Sequence, residues 1–155
     1  MMVEQRSAML WTVNRVFALV VGIIFVLIAI IGFFTPMRNA TGVQPLFGIF
    51  DVDTVHNWIH LISGLLGIIA AFVGQARTFN QAFGIFYTLL GILGLFSVLY
   101  FPPGTYGHDT GLFLGLTHIN AADHVLHLVA GIIALIVGFF FAGSATHTMP
   151  HERGM

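Results

Sequence analysis

The chain contains no cysteine and no lysine, and only 7% of its 155 residues are charged. Without cysteine, a disulfide, a thiolate metal ligand and a cysteine nucleophile are all excluded. An ordinary soluble domain carries about 25% charged residues, so this composition cannot supply a water-facing surface. The formal net charge is −1 and no basic run occurs, so nucleic acid is not expected as a partner.

What the sequence has instead is long apolar runs, with 57% hydrophobic residues and a mean hydropathy of +0.96. Four runs cover about residues 16–34, 55–73, 83–101 and 125–142. Each has about the length of the 20-residue helix that crosses a bilayer. We therefore predict an all-α integral membrane protein in which four transmembrane helices form one bundle. The single domain spans residues 1–155, ends in a polar tail over 143–155, and leaves no room for a separate catalytic domain.

The arginines predict the orientation of the chain. Arg6 and Arg15 precede the first run, Arg77 lies between the second and third runs, and Arg153 lies in the tail. Only Arg38 falls on the opposite side. Because positive charge is retained in the cytoplasm, both termini are expected to be cytoplasmic, in a bacterial inner membrane.

The chain also repeats itself, with repeat one at about residues 14–75 and repeat two at about 80–142. A shift of 66 or 67 residues superposes identical amino acids, among them Asn14 on Asn80, Gly48 on Gly115, His60 on His127 and Gly64 on Gly131. Two tandem two-helix units of the same orientation predict a pseudo-twofold axis along the membrane normal. The second and fourth helices are expected to meet across that axis.

Polar residues stand directly before both of these helices. Asp53 and Asn120 are equivalent in the repeat, and each can accept a hydrogen bond from the open N–H groups of the first turn. Asp123 follows Asn120 at the spacing of a capping box. We interpret Asp53 and Asn120 as N-caps.

The histidines are the one constellation that could carry chemistry. His60 and His127 lie about 10 Å from the starts of their helices, given a rise of 1.5 Å per residue. His56 and His124 share a helical face with them, at a spacing that suits metal ligation. Below the histidines the same faces carry small residues that allow close helix contact, namely Gly64, Gly67, Ala71, Gly131, Ala134 and Gly138.

Three interpretations of the histidines compete. In the first, each imidazole only hydrogen-bonds a neighbour such as Asn57, Ser63, Asp123 or a carbonyl group. In the second, His60 and His127 ligate a haem or chlorophyll-type ring, and the glycines leave space for the macrocycle. In the third, His56, His60, His124 and His127 hold a divalent metal, with Asp123 as an optional further ligand. Ionisable residues inside a membrane are functional candidates by default, so all three stay open.

Three segments carry a resemblance to a known family: the run from Leu46 to Asp53, the run from His56 to Leu61, and the run from Asn120 to Leu128. With them, the chain resembles the bacterial domain-of-unknown-function family numbered 4383, over about residues 14–138. The resemblance implies four membrane helices and no known activity. It also implies asparagine more often than histidine at position 124, so His124 is a departure that favours a ligand in this member.

We therefore expect a non-catalytic accessory or scaffolding subunit that packs against a larger membrane complex or against copies of itself. The alternative is a protein that binds a pigment or a metal through its histidines. An enzyme is not expected, because the sequence shows no nucleophile, acid–base pair or phosphate loop.

Overall fold

The computed structural model describes residues 11–38, 40–104 and 111–141. Four helices account for most of this part of the chain: α1 (Val13–Phe34), α2 (Thr54–Val73), α3 (Ala76–Leu93) and α4 (Ala121–Phe140). Helices α1, α2 and α4 are long and apolar enough to cross a membrane. Of the arginines used for orientation, Arg6 and Arg153 lie outside the described residues, as does the tail from 143 onward.

Helix α3 differs most from its predicted bounds. It begins at Ala76 and includes the polar residues Arg77, Asn80 and Gln81, which lower its hydropathy. It ends at Leu93 with Gly94 as its C-cap, and the ring of His124 occupies the place where a side chain at position 94 would begin. The predicted run over 83–101 therefore joined half of a helix to the loop that follows it.

Two short antiparallel sheets cover one end of the bundle. Strands β1 (Gln44–Leu46) and β2 (Phe50–Val52) form the first, and β3 (Tyr100–Phe101) and β4 (Leu112–Phe113) form the second. The strands β2 and β4 precede α2 and α4, which begin at this end. We call it the outer end, after the orientation predicted from the arginines, and the opposite end the inner end. The sequence did not predict strands here.

Equivalent turns occur in the two halves. Phe47 and Gly48 have φ of 54° and 71°, and their repeat partners Leu114 and Gly115 have φ of 53° and 70°. Positive φ suits glycine and is unusual for phenylalanine or leucine. The same uncommon backbone thus recurs at both repeat positions.

The packing is inverted relative to a soluble protein. The buried stripe of α1 is made of polar, small and aromatic residues, namely Asn14, Ala18, Gly22, Phe25, Ala29 and Gly32. The large aliphatic side chains face outward instead, with Leu27 53% and Ile62 54% exposed. Apolar surface of this extent is stable in a bilayer and not in water.

The small residues of α2 and α4 do not join those two helices, so the predicted contact was wrong. Helix α2 packs along α1, and α4 packs along α3. A methyl group at Gly64 would lie 2.7 Å from the carbonyl oxygen of Gly22 in α1, and one at Gly131 would lie 2.5 Å from the amide nitrogen of Thr88 in α3. Each stripe therefore brings a helix against its neighbour in sequence.

The opposite, inner end is joined by a pair of asparagines. Asn80 donates to the side-chain oxygen of Asn14 at 2.9 Å, and Asn14 donates to the carbonyl of Phe141 at 2.9 Å. Both asparagines are buried and equivalent in the repeat. They link α1 to α3 across the centre of the bundle.

Candidate metal centre

Three histidines converge beneath the outer end of the bundle. One ring nitrogen from each of His56, His60 and His127 lies within 4.8 Å of the others. The side chains are 2%, 4% and 3% exposed, so the cluster is sealed from its surroundings. The ring centroids are 4.5 Å apart for His56 and His60, and 5.8 Å for His60 and His127.

Helix caps place these rings. The carboxylate of Asp53 accepts from the backbone N–H of His56 at 2.8 Å and begins α2. Asn120 and Asp123 form a complete capping box that begins α4. Both cap predictions are confirmed, as is the expectation that His60 and His127 face each other.

A backbone carbonyl fixes the orientation of His56. Its Nδ1 lies 3.1 Å from the carbonyl oxygen of His118, which can only accept, so Nδ1 carries the proton. The other nitrogen, Nε2, is buried without a hydrogen-bond partner. Metal-ligating histidines commonly donate their second nitrogen to a carbonyl or carboxylate in this way.

The loop that supplies this carbonyl is itself held by the cap of α2. Asp53 accepts from the backbone N–H of His118 at 2.8 Å and from the hydroxyl of Thr117 at 2.9 Å. The imidazole of His118 contacts the carbonyl of Thr41 at 3.1 Å. The segment between β4 and α4 thus braces a ligand candidate on α2.

His60 and His127 have no such partner. Both nitrogens of both rings are buried and make no hydrogen bond in the described structure. The first interpretation thus describes His56 and His124, which contact carbonyls, and gives no partner for His60 and His127. The proposed neighbours bond elsewhere, since Ser63 accepts from Tyr87 and Asn57 donates to Gln44.

His124 does not join the cluster, contrary to the predicted set of four ligands. Its Nδ1 lies 3.2 Å from the carbonyl oxygen of Leu90, and its Nε2 is hydrogen-bonded to the hydroxyl of Tyr100. Its ring centroid is 6.3 Å from that of His127. On α4 it lies three residues before His127 and shares its face, but its partners come from α3 and from Tyr100 in β3.

The premise of the macrocycle interpretation was also wrong. The glycines below His60 and His127 leave no space for a flat ring, because the backbones of α1 and α3 fill the positions beside Gly64 and Gly131. Around the cluster itself the ring of Phe25 packs 4.8 Å from His60, and that of Tyr87 packs 5.2 Å from His127. The two histidines face each other across a distance suited to a single ion.

The sequence did not single out the residues that complete this centre. His118 lies outside any helix, so helical spacing could not connect it with His56. Phe25 and Tyr87 read as ordinary apolar positions of α1 and α3. Their packing in one core cluster with Phe83 and their ring contacts with His60 and His127 place them beside the histidines.

A family model described as "Domain of unknown function (DUF4383)" matches residues 15–140. The chain therefore belongs to that family, which confirms the resemblance found in the sequence. No curated protein and no solved structure matches the chain.

Proposed function

We propose that this family member is a membrane protein that binds one transition-metal ion through His56, His60 and His127. The observation that supports the proposal is the set of buried imidazole nitrogens in His60 and His127, which have no hydrogen-bond partner. A buried polar group without a partner costs about 1 to 3 kcal/mol. A metal ion shared by the three rings would remove that cost.

The arrangement also has the second feature expected of a ligand set. One nitrogen of His56 donates to a carbonyl and the other has no hydrogen-bond partner, while one ring nitrogen of His56 lies within 4.8 Å of those of the other two histidines. Imidazole suits zinc, copper, iron and nickel. Three neutral nitrogens therefore specify a transition metal over calcium or magnesium, which prefer oxygen ligands.

We further propose that the protein is non-catalytic and acts as an accessory subunit of a membrane complex or of a homo-oligomer. The groups beside the cluster that could transfer protons are engaged in structure. Asp53 holds the start of α2, and the hydroxyl of Tyr87 donates to Ser63 at 3.0 Å. A metal held in this setting stabilises the bundle more readily than it activates a substrate.

The membrane setting belongs to the same proposal. All four helices, including the less apolar α3, cross a bacterial inner membrane as two tandem repeats, with both termini in the cytoplasm. The recurrent turn at Phe47 and Leu114 supports the repeat.

Because the chain has no native cysteine, single cysteines at Asn39, Thr78 and Thr110 can be labelled from one side. If only the cysteine at Thr78 were labelled from outside, the orientation would be the opposite of the proposed one.

Metal content tests the central claim. The protein is purified in detergent with an affinity tag that contains no histidine, in a background where His147 and His151 are alanine, and is analysed by mass spectrometry for metals. We expect about one transition-metal ion per chain. Replacing His60 by phenylalanine, or His127 by glutamine, should abolish it.

His124→Asn is the matched control, because His124 lies beside the cluster and bonds elsewhere. It should keep the metal. Circular dichroism and gel filtration identify any variant that fails to fold, and the conservative His127→Gln change covers the case in which the phenylalanine variant does. A folded protein that neither retains nor takes up a metal would refute the proposal, as would unchanged binding in both histidine variants.

A further inference from the structure

The charge of the ion can be inferred from what surrounds the three histidines. Within the described part of the chain, the converging group consists of imidazoles alone and includes no carboxylate. An ion bound there keeps its full charge, because neutral ligands do not offset it. The ligand set therefore disfavours high charge.

Burial makes that charge expensive. The three side chains are at most 4% exposed, and they are packed against the rings of Phe25 and Tyr87. The cost of moving an ion from water into such a medium rises with the square of its charge, so a divalent ion is disfavoured about four times as strongly as a monovalent one.

Of the acids at this end, the buried Asp51 is not among the converging groups, and Asp53 and Asp123 do not change this balance. Helices α2 and α4 both begin at this end, and each N-terminus carries a partial positive charge that opposes a cation. Asp53 is the N-cap of α2 and Asp123 lies in the first turn of α4, where their charges offset those dipoles. Asp53 already accepts three hydrogen bonds, and Asp123 accepts from the backbone N–H groups of Asn120 and Asp51.

The number of ligands points the same way. Zinc in proteins almost always has four ligands, and the three histidines supply three. The rings of Phe25 and Tyr87 pack against His60 and His127, and the hydroxyl of Tyr87 is directed at Ser63. A three-coordinate ion fits this shell without a further ligand.

We propose that the ion is monovalent copper, bound in its reduced state by three imidazoles. This inference rests on the proposed function, because it presupposes a metal at the cluster. Copper is ligated by imidazole, its monovalent ion carries the low charge that the site tolerates, and no electron transfer is needed if the ion arrives reduced.

Competition titrations test the inference. Metal-free protein in detergent is titrated under anaerobic conditions with Cu(I), kept reduced by ascorbate, against a coloured Cu(I) chelator, and separately with Zn(II) against a coloured zinc chelator. We expect one Cu(I) per chain, bound at least about a hundredfold more tightly than Zn(II). X-ray absorption at the copper edge should show three nitrogen neighbours.

The outcomes separate the two proposals. Loss of Cu(I) binding in His60→Phe and His127→Gln, with retention in His124→Asn, supports the inference. Zinc binding as tight as that of Cu(I) would overturn the assignment of copper and leave a metal-binding protein. Binding of neither ion by folded protein would overturn both.

Discussion

The two ends of the bundle bury polar side chains in opposite ways. At the inner end, Asn14 and Asn80 bond to each other and to backbone carbonyls. At the outer end, His60 and His127 meet at a similar contact between the halves, yet their four ring nitrogens have no hydrogen-bond partner. The asparagine pair makes several hydrogen bonds within the protein and leaves one buried atom, Oδ1 of Asn80, without a partner, whereas the histidine pair makes none.

This difference separates a structural polar contact from a candidate site. Buried amides that bond to each other and to backbone carbonyls fix how two helices meet and require no ligand. Buried imidazoles without hydrogen-bond partners do not join two helices in this way. Because buried polar groups in native structures are nearly always hydrogen-bonded, each exception requires a different reason, such as a bound ion. His124 sharpens the contrast, because it lies at the outer end and is bonded like the inner pair, to Leu90 and Tyr100.

The largest expected effect is that of the metal on stability. Loading the protein with its ion at a thousandfold excess over Kd should stabilise it by about 4 kcal/mol, since the ion binds only the folded state. Thermal unfolding with and without a chelator measures the difference. Asn80→Leu should lower the unfolding temperature by about the same amount with and without the chelator, so the stabilisation by metal stays. His127→Gln should abolish the stabilisation by metal. If the metal stabilised both variants equally, the inner asparagines and the outer histidines would not differ in their role.

A smaller effect is expected from the close helix contacts that hold both ends in register. Gly64→Leu should cost on the order of 3 kcal/mol, because the side chain would meet the backbone of α1 at Gly22 and Val26. Gly131→Leu should cost a similar amount through Thr88. Thermal unfolding in detergent measures both, with Ala82→Leu on the exposed face of α3 as the control. Stability at the level of that control would show that neither glycine lies in a helix contact.

The smallest effect is expected at the asparagine pair. Asn14→Ala should cost about 1 to 2 kcal/mol, because its loss leaves Asn80 without its side-chain acceptor. The double variant should cost less than the sum of the single ones, since the pair acts as a unit. A double-mutant cycle measures the coupling by thermal unfolding. Strict additivity would mean that the two amides do not cooperate.

Part of the candidate site followed from the sequence. Helical spacing placed His56 beside His60, because residues four apart share a helix face. The repeat placed His60 opposite His127, because equivalent positions are related by the predicted pseudo-twofold axis. The same reasoning grouped His124 with them wrongly. Whether a histidine faces the cluster or the Leu90 carbonyl depends on where α3 passes α4, which no spacing within α4 records.

The small-residue stripes give a similar lesson for the fold. Glycine at Gly64 and Gly131 predicted close helix contact, and such contact exists, but the partners are α1 and α3. A stripe shows which face of a helix can approach another backbone and carries no information on which backbone that is. The bounds of α3 were misread for a related reason, since an apolar run does not distinguish a helix from an apolar loop.

By itself, the sequence determined the membrane character, the number of helices, the caps at Asp53 and Asn120 and the nearness of His60 to His127, because each depends on composition, local hydrogen bonding or repetition. The tertiary structure alone decided that His118 orients His56, that His124 turns away, and that the rings of Phe25 and Tyr87 enclose the three remaining histidines. These relations join residues far apart in the chain, and their partners are chosen by packing, which a one-dimensional pattern does not contain.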